Sequence, residues 1–278
     1  QKYGKHGGIV SNGLQTNAIL IDDELAAHFS KYNFLVGVSL DGPDYLHDKN
    51  RVTRSGKGTH AEVLKGIECL KRHKVEFNVI VLVNAVNVTH GRRIYRYLHD
   101  MGYFYHQYIP CVEFDENSNN KPYPYTITGK QWGEFLCEVF DEWFSNDTFR
   151  VSVRLFDSIL ENIVHDVANV CHMSTNCNSY FMVEYNGDVY PCDFFTDKPH
   201  KLGNVLQNSW KDLQTSPKYL QFSKKKSEWN KLCCKCRYLT LCAADCIRYR
   251  LYDPCNPRAQ SWLCDGWKLF YDHTINEF

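Results

Sequence analysis

Cysteine is the feature of this sequence that most restricts what the chain can fold into. The chain has 278 residues and 13 cysteines, of which three precede residue 171 and ten lie between residues 171 and 278. The N-terminus has no apolar segment typical of a secretion signal, so we do not expect a disulfide framework. Clustered cysteines in a cytoplasmic chain more often bind metal. The sequence therefore predicts a cytoplasmic protein with an ordinary N-terminal part and a metal-rich C-terminal part.

Composition and charge exclude several classes of partner. Lys and Arg together number 32, as do Asp and Glu, so the formal net charge is zero. A neutral chain has no bulk attraction for nucleic acid or for an anionic membrane. No apolar run approaches the roughly 20 residues that cross a bilayer. We therefore expect neither nucleic acid nor membrane as a partner, and we interpret the short run Lys224-Lys225-Lys226 as a solvated basic face.

The N-terminal part alternates strand and helix signals. Buried strands are predicted over residues 16–21, 34–40, 77–83 and 104–109. Helices follow them, with a cap at Asp22, a capping box of Thr59 with Glu62, and a stop at Gly102. This alternation predicts an α/β fold with right-handed βαβ units and a parallel sheet, which binds ligands at the carboxyl ends of its strands. Four strands are too few for a closed eight-stranded barrel, so we expect an open sheet or part of a barrel.

The pattern changes after about residue 168. Asn186-Gly187 lies between two short strand-like runs, which is a strong signal for a β-hairpin. Beyond the hairpin the chain consists of loops rich in Lys and Cys, with little periodicity. We therefore predict two domains, residues 1–167 and residues 168–278.

Eight cysteines have spacings that suit metal binding: Cys171, Cys177, Cys192, Cys233, Cys236, Cys242, Cys246 and Cys264. Separations of two and three residues let thiolates converge from a tight turn or a helical turn. The hairpin brings the thiolates of Cys177 and Cys192 together. Eight thiolates make two four-cysteine sites, which tetrahedral zinc and iron–sulfur clusters both fit. Spacing alone leaves both metals open.

The remaining five cysteines lack such spacing. We predict that Cys69, Cys111 and Cys137 are packing residues. Cys234 and Cys255 are expected to be spare thiols within the cysteine-rich region.

The cysteine pattern resembles the SPASM domain of radical S-adenosylmethionine (SAM) enzymes. It has the form C-x9-G-x4-C, then C-x2-C-x5-C-x3-C, then a last C. The upstream Cys171 and the sequence Tyr-Pro-Cys-Asp-Phe at 190–194 are similar to the anaerobic sulfatase-maturating enzymes. Leu-Gln-Thr-Asn at 14–17, Val-Gly-Val-Ser-Leu-Asp-Gly-Pro at 36–43 and Gln-Tyr-Ile at 107–109 are similar to barrel strands of that group. The resemblance covers essentially the whole chain.

The resemblance implies a fold and a set of cofactors. Residues 1–167 would form a partial (β/α)6 radical SAM barrel with strands three to six, and residues 168–278 a small irregular SPASM domain with a β-hairpin. The family's C-x3-C-x2-C and Gly-Gly-Glu motifs are absent, and both belong to the first two βα units. We therefore expect a fragment that lacks roughly 60 residues and is inactive alone. The complete enzyme would bind SAM and a third [4Fe–4S] cluster; a degenerate homologue is the alternative. Ala18 stands where the family often has Gly.

The resemblance also implies ligands for two auxiliary [4Fe–4S] clusters. The first would be held by Cys171, Cys177, Cys192 and Cys246, and the second by Cys233, Cys236, Cys242 and Cys264. Clusters with four cysteine ligands have no open iron, so electron transfer is the role expected of them rather than substrate binding.

Four further residues match family positions. Ser39, Arg51 and the backbone of Val112 match positions that bind SAM, and Asp193 matches the general base. Each also has a simpler interpretation. Ser39 could end a strand, and Asp193 could be a turn residue that accepts backbone N–H bonds. Arg51 could pair on the surface with Asp44 or Asp48, an interaction of little energetic value.

The function implied by the resemblance is oxidation of a Cys or Ser side chain of a sulfatase to formylglycine. The enzyme would be a radical SAM oxidoreductase that works as a monomer, with an electron donor such as flavodoxin or ferredoxin. Two alternatives are a maturase of another ribosomal peptide, for example one that forms thioether links, and a non-catalytic module that binds zinc or clusters. Asp193 directly after Cys192 favours the sulfatase interpretation, whereas the missing motif is the main support for the module.

Overall fold

The computed structural model describes residues 10–115, 117–250 and 259–278. Its helices and strands in chain order are β1 (Asn12–Thr16), α1 (Asp23–Lys31), β2 (Phe34–Ser39), α2 (Asp44–His47), α3 (His60–Arg72), β3 (Glu76–Val83), α4 (Gly91–Asp100), β4 (Tyr105–Pro110), β5 (Phe114–Asp115), β6 (Lys121–Pro122), α5 (Gly129–Asn146), β7 (Ser152–Val153), α6 (Arg154–His165), β8 (Met182–Val183), β9 (Asp188–Tyr190), β10 (Gly203–Asn204), α7 (Trp210–Thr215), α8 (Pro217–Lys225), α9 (Leu239–Cys242), α10 (Ile247–Arg250) and α11 (Cys264–Thr274). Three single-turn 3-10 helices cover Cys171–Met173, Lys198–His200 and Cys233–Lys235.

Five parallel strands form the main sheet, in the order β1-β2-β3-β4-β7. Val38 of β2 lies opposite Val79 of β3, and Val81 lies opposite Tyr108 of β4. These four side chains are buried, as is usual for the strands of a parallel sheet. The predicted α/β class with a parallel sheet is confirmed, and the described strands form an open sheet. The fifth strand, β7, was not predicted because its two residues are too short to show a pattern.

The first strand lies earlier in the chain than predicted. The strand ends at Thr16, and residues 17–22 form a turn in place of the expected strand over 16–21. Ala18 within this turn has a left-handed backbone (φ 58°) and a completely buried side chain. The apolar residues there belong to a turn in which Ala18 is buried and Leu20 is exposed, and single-sequence patterns do not separate such a turn from a strand. Asp22 caps α1 as predicted, because its carboxylate accepts the N–H of Leu25 at 2.9 Å.

The predicted capping box of α3 is wrong. The Thr59 hydroxyl donates to the carbonyl of Arg51 at 2.9 Å instead of capping the helix. The first helical N–H, that of His60, is instead satisfied by the carboxylate of Asp48 at 2.9 Å. An acid from elsewhere in the chain replaces the local cap, and its negative charge also suits the helix N-terminus. The predicted stop of α4 is confirmed, since Gly102 has a positive φ of 72°.

The chain divides into two compact units. The first comprises the chain up to Glu113 together with Pro122–Ile127 and Gln131–Asp157; the second comprises Phe114–Lys121, Thr128–Lys130 and Ser158–Phe278. The second unit contains the predicted hairpin, β8 and β9, with Gly187 at a positive φ of 85° in its turn. Its helices after β10 are mostly one or two turns long. No helix within the described ranges has the length and apolarity needed to cross a membrane.

Helix α3 packs closely on the turn after β1, and this contact yields a test of the fold. A Cβ atom on Gly66 would lie 2.2 Å from the carbonyl oxygen of Ala18. We expect Gly66→Ala to lower the free energy of unfolding by about 1–3 kcal/mol, because backbone must move to relieve this overlap. The overlap outweighs the gain of about 1 kcal/mol in helix propensity.

Urea unfolding of the wild-type protein and of the Gly66→Ala variant measures the difference in the free energy of unfolding. Lys65→Ala, at the adjacent exposed position of the same helix, is the control and should change stability by no more than about 0.5 kcal/mol. If the Gly66→Ala variant is as stable as the control, the turn at Ala18 can move to accommodate the added Cβ without loss of stability.

Candidate functional site

Four cysteines of the second unit surround one cavity of about 450 Å³, including its part open to solvent: Cys171, Cys177, Cys192 and Cys246, here called the first cysteine group. Four separate segments supply them. Cys171 begins a 3-10 helix, Cys192 follows β9 after one proline, and Cys246 directly precedes α10. Cys177 and Cys192 also pack against a small hydrophobic core that includes Phe222. The grouping matches the expectation for one cluster site.

The other four cysteines surround a second cavity of about 420 Å³, measured in the same way: Cys233, Cys236, Cys242 and Cys264, here called the second cysteine group. Cys242 ends α9 and Cys264 begins α11, while Cys233 begins a 3-10 helix and Cys236 directly follows it. Aromatic rings of Tyr238, Trp267 and Tyr271 line the same cavity and limit the access of water. Cys234 is exposed and does not line this cavity, as predicted for a spare thiol, whereas Cys255 lies outside the described residues.

The thiols line the walls of two cavities, four to each cavity. In the described part of the chain, no three His, Cys, Asp or Glu side chains form a group that could hold a single metal ion. An all-sulfur donor set around such a cavity fits an iron–sulfur cluster.

Burial strongly disfavours ionised thiols in both groups unless a positive charge is near. It raises the pKa of Cys192 to about 12 and that of Cys264 to about 11. The pKa values of Cys242 and Cys246 are raised further by the same cause. Metal coordination supplies the positive charge that converts such thiols to thiolates. The cavities therefore suit thiols that become ionised only on binding a metal.

Two buried cations lie among the cysteines, and sequence analysis missed both. Lys226 is completely buried and Arg250 is 2% exposed. The interpretation of Lys224-Lys225-Lys226 as a solvated face is therefore wrong for its last member, although Lys224 and Lys225 are exposed. Burial and the charge of Arg250 lower the pKa of Lys226 to about 8, so the ammonium is still mainly protonated at neutral pH. No local pattern could have shown this, because the partners come from distant segments.

Asp193 is exposed beside the first cysteine group. Its carboxylate accepts a hydrogen bond from the Cys192 thiol at 3.3 Å. Tyr180, which the sequence analysis did not single out, lines the cavity and donates its hydroxyl to the sulfur of Cys171 at 3.7 Å. Burial raises the pKa of Tyr180 beyond its usual range, and the nearby thiols and Asp193 add to this effect. An exposed carboxylate and a neutral phenol thus lie at the first group.

The predicted SAM positions belong to the first unit. Ser39 is the last residue of β2, and Val112 follows β4 by two residues. Because β2, β3 and β4 are parallel, their carboxyl ends share one edge of the sheet. The structure thus places Ser39 and Val112 at that edge.

Arg51 pairs with Asp41, not with Asp44 or Asp48 as the simpler interpretation expected. Its Nε and Nη2 donate to the two carboxylate oxygens of Asp41 at 2.6 and 3.1 Å. Asp41 is 3% exposed and also accepts the N–H of Leu82 at 2.9 Å, which fixes it to β3. The third guanidinium nitrogen of Arg51, Nη1, has no partner within the described residues and remains available to a ligand. Sequence analysis missed Asp41, although it directly follows a buried strand.

Comparisons with known proteins agree with this geometry. Residues 1–98 match the radical SAM superfamily, and residues 171–237 match SPASM, an iron–sulfur cluster-binding domain. The chain is 32% identical to the serine-type anaerobic sulfatase-maturating enzyme of Bacteroides thetaiotaomicron, over 99% of this chain and 70% of that protein. It is 34% identical to the cysteine-type anaerobic sulfatase-maturating enzyme of Clostridium perfringens, over 96% of this chain and 72% of that protein.

A solved structure extends the similarity to three dimensions. The structure of native anSMEcpe with bound AdoMet superposes with a TM-score of 0.91 at 32% identity, covering 96% of this chain and 73% of that one. Radical SAM enzymes use SAM and a [4Fe–4S] cluster, and the SPASM match, an iron–sulfur cluster-binding domain, covers five of the eight grouped cysteines. The predicted family is thereby confirmed: this chain belongs to the anaerobic sulfatase-maturating enzymes, a group of radical SAM oxidoreductases.

Proposed function

We propose that this protein oxidises one Cys or Ser side chain of a sulfatase polypeptide to formylglycine. The observation that carries the proposal is the pair of four-cysteine cavities, one of which has the exposed carboxylate of Asp193 at its edge. A related solved structure holds native anSMEcpe with bound AdoMet and the Cp18Cys peptide, which supports a peptide as the substrate class. That protein is 32% identical to this chain and superposes with a TM-score of 0.91.

The chemistry divides between the cofactors and the residues of the chain. When bound, SAM and a reduced catalytic cluster would supply the radical chemistry that removes one hydrogen atom from the substrate Cβ. Asp193 accepts the proton of the substrate thiol or hydroxyl, as a positioned base. One further electron must leave the substrate to complete the two-electron oxidation. Each cysteine group would hold one auxiliary [4Fe–4S] cluster, and these clusters would accept that electron. For a Cys substrate, water would then supply the aldehyde oxygen and the sulfur would leave as hydrogen sulfide.

The first unit binds SAM in this proposal. Arg51 contacts it through the nitrogen that Asp41 leaves available, and Ser39 and the backbone of Val112 contribute from the same sheet edge. We place the boundary of the SAM-binding and auxiliary-cluster domains between residues 167 and 168. The twelve described cysteines are free thiols, which is consistent with a cytoplasmic enzyme. We propose a monomer reduced by a donor such as flavodoxin or ferredoxin.

Cysteine substitutions test the two ligand sets. The complete enzyme, reconstituted anaerobically, should hold about four irons and four sulfides per auxiliary cluster. Cys177→Ala or Cys192→Ala should remove the first cluster, and Cys233→Ala or Cys242→Ala the second. Each variant should therefore lose about four irons, measured by iron and labile-sulfide analysis.

Cys234→Ala is the matched control, because Cys234 adjoins Cys233 but is exposed. It should keep the wild-type iron content. Loss of a cluster from Cys234→Ala but not from Cys233→Ala would show that the ligand register is shifted by one residue. Stoichiometric zinc without labile sulfide in the wild type would exclude the iron–sulfur proposal.

Substitution of Asp193 by Asn tests the general base. Asn is nearly isosteric and Asp193 is no ligand, so both clusters should be retained. Formylglycine formation should fall by about 10²–10⁴-fold, the usual effect of losing a positioned base. Because hydrogen abstraction at Cβ does not require this carboxylate, 5′-deoxyadenosine should still form without matching product. Both compounds are quantified in one anaerobic assay with a sulfatase-derived peptide.

Asp265→Asn is the control for this experiment. Asp265 is likewise an exposed acid directly after a grouped cysteine, Cys264, but it belongs to the second group. Its variant should form formylglycine at the wild-type rate. If Asp193→Asn does the same, Asp193 is only a turn residue; if it loses iron, Asp193 supports the cluster site.

The SAM contact of Arg51 is tested through affinity. Arg51→Gln removes a charge-assisted donor while Asp41 remains buried, so the dissociation constant of SAM should rise by about tenfold or more. Equilibrium binding of SAM to the complete enzyme measures the change. Arg54→Gln, at an exposed position three residues on, should leave the affinity unchanged. Equal affinities for the Arg51 and Arg54 variants would remove Arg51 from the SAM site.

A further inference from the structure

Lys226 is a completely buried cation whose hydrogen-bond partners among the described residues are all neutral. Its ammonium group donates three hydrogen bonds, to the carbonyl oxygens of His172 at 2.9 Å, Ala243 at 2.9 Å and Asp245 at 2.5 Å. Carbonyl oxygens satisfy the three N–H donors of the ammonium group. Because they are neutral, they do not offset its positive charge. Within the described residues Lys226 forms no ion pair with a carboxylate.

Arg250 repeats this arrangement from the end of α10. Its Nη2 donates to the carbonyls of Lys226 and Asp245, both at 2.9 Å, and to that of Ala243 at 3.3 Å. Its Nε is buried and has no hydrogen-bond partner among the described residues. Arg250 also forms no ion pair within them. Lys226 and Arg250, which share two carbonyl acceptors, are here called the cation pair.

Among the described residues, a single buried acid lies near the cation pair, and its one negative charge does not balance two positive charges. Asp245 is 1% exposed, and its carboxylate accepts hydrogen bonds from the Ser261 hydroxyl at 2.5 Å, the Trp267 ring N–H at 3.0 Å and the Cys246 N–H at 2.7 Å. In the part of the chain that the structure describes, two buried positive charges thus lie near one buried negative charge. Burial of unbalanced charge is strongly unfavourable, so a further anion is needed beside the pair.

The cysteine groups are where that anion can form. Both cations lie beside cysteines of the two groups. Lys226 lines the cavity of the first group. Lys226 and Arg250 both bind the carbonyls of Ala243, which follows Cys242 of the second group, and of Asp245, which precedes Cys246 of the first. Each cation therefore stabilises negative charge in both groups. Four thiolates around a [4Fe–4S] core carry a net negative charge that grows by one when the core gains an electron.

We propose that the cation pair, Lys226 with Arg250, is a shared electrostatic element that raises the reduction potentials of both auxiliary clusters. This inference rests on the proposed cluster ligation. The pair is a positioning element, because it acts through charge and contacts no substrate. A buried positive charge stabilises the more negative, reduced state, so it favours transfer of the electron that leaves the substrate into the second unit.

Neutral substitutions test the proposal. Lys226→Gln and Arg250→Gln each remove one charge and keep a hydrogen-bond donor. The complete holoenzyme is titrated anaerobically with a reductant, and the reduced clusters are quantified by electron paramagnetic resonance. In each variant the equilibrium constant for one-electron reduction should fall by about tenfold for both auxiliary clusters, which is 59 mV for a one-electron couple.

Charge-conserving variants and a neighbouring control separate charge from shape. Lys226→Arg and Arg250→Lys should keep the wild-type potentials, as should Lys225→Gln, which removes an exposed charge from the end of α8. If Lys226→Gln assembles no clusters but Lys226→Arg does, the need for a charge is upheld. If both variants fail to assemble clusters, the role of Lys226 is steric and the proposal is wrong.

Iron content distinguishes failure of this inference from failure of the cluster proposal. Variants that hold wild-type iron and show unchanged potentials would overturn the shared electrostatic role while leaving the two clusters in place. If the reduction potential of only one auxiliary cluster shifted, the proposal that the cation pair acts on both clusters would be contradicted. Wild-type protein without iron and sulfide in the expected amounts would refute the ligation proposal itself, and with it this inference.

Discussion

The cysteine-rich unit depends on an unusual backbone turn that buried cations hold in place. Ala243, Ala244 and Asp245 all have left-handed backbones, with φ of 45°, 58° and 60°. Such conformations cost roughly 1–2 kcal/mol per residue for side chains other than glycine. The turn persists because Lys226 and Arg250 bind the carbonyls of its first and last residues. Since the turn joins Cys242 of the second group to Cys246 of the first, the orientation of both groups follows from it.

The short helices of this unit are not stable by themselves. Helices α9 and α10 have four residues each, far below the length at which a helix is stable by itself in water. Their positions must therefore come from packing and from the groups that the cysteines bind. A unit that gathers eight thiols from short segments is organised around its cavities, and the family membership explains what those cavities accommodate.

The first unit follows a different physical rule. Parallel strands connected by helices bring their carboxyl ends to one edge, so side chains far apart in sequence become neighbours there without any special contact. Asp41 illustrates how such an edge is made rigid, because it joins the end of β2 to Leu82 of β3 and holds Arg51 in a two-point contact. The two units thus position their functional groups by opposite means, regular strands in one and irregular turns with buried charge in the other.

Local sequence patterns predicted many of the strands, the hairpin and the two cysteine groups. Runs of β-branched residues predicted β2, β3 and β4, Asn186-Gly187 predicted the hairpin, and the spacing of eight cysteines predicted their two groups and the family. Strand periodicity, turn chemistry and ligand spacing act over a few residues, so a single sequence reveals them. The predictions of the first strand and of the cap of α3 were wrong. A turn with Ala18 buried in it takes the place of the strand, and a distant acid, Asp48, takes the place of the local cap.

Only the tertiary structure decided which residues complete the sites. Burial of Lys226, pairing of Arg51 with Asp41, and the place of Tyr180 at the first cysteine group all depend on segments that lie far apart in the chain. Nothing in a run of three lysines shows that the third will be enclosed by carbonyl oxygens while the first two face solvent. The sequence by itself determined the chemical types available and their spacing. Their charge environment was decided by the fold, because burial and electrostatic neighbours arise from long-range packing.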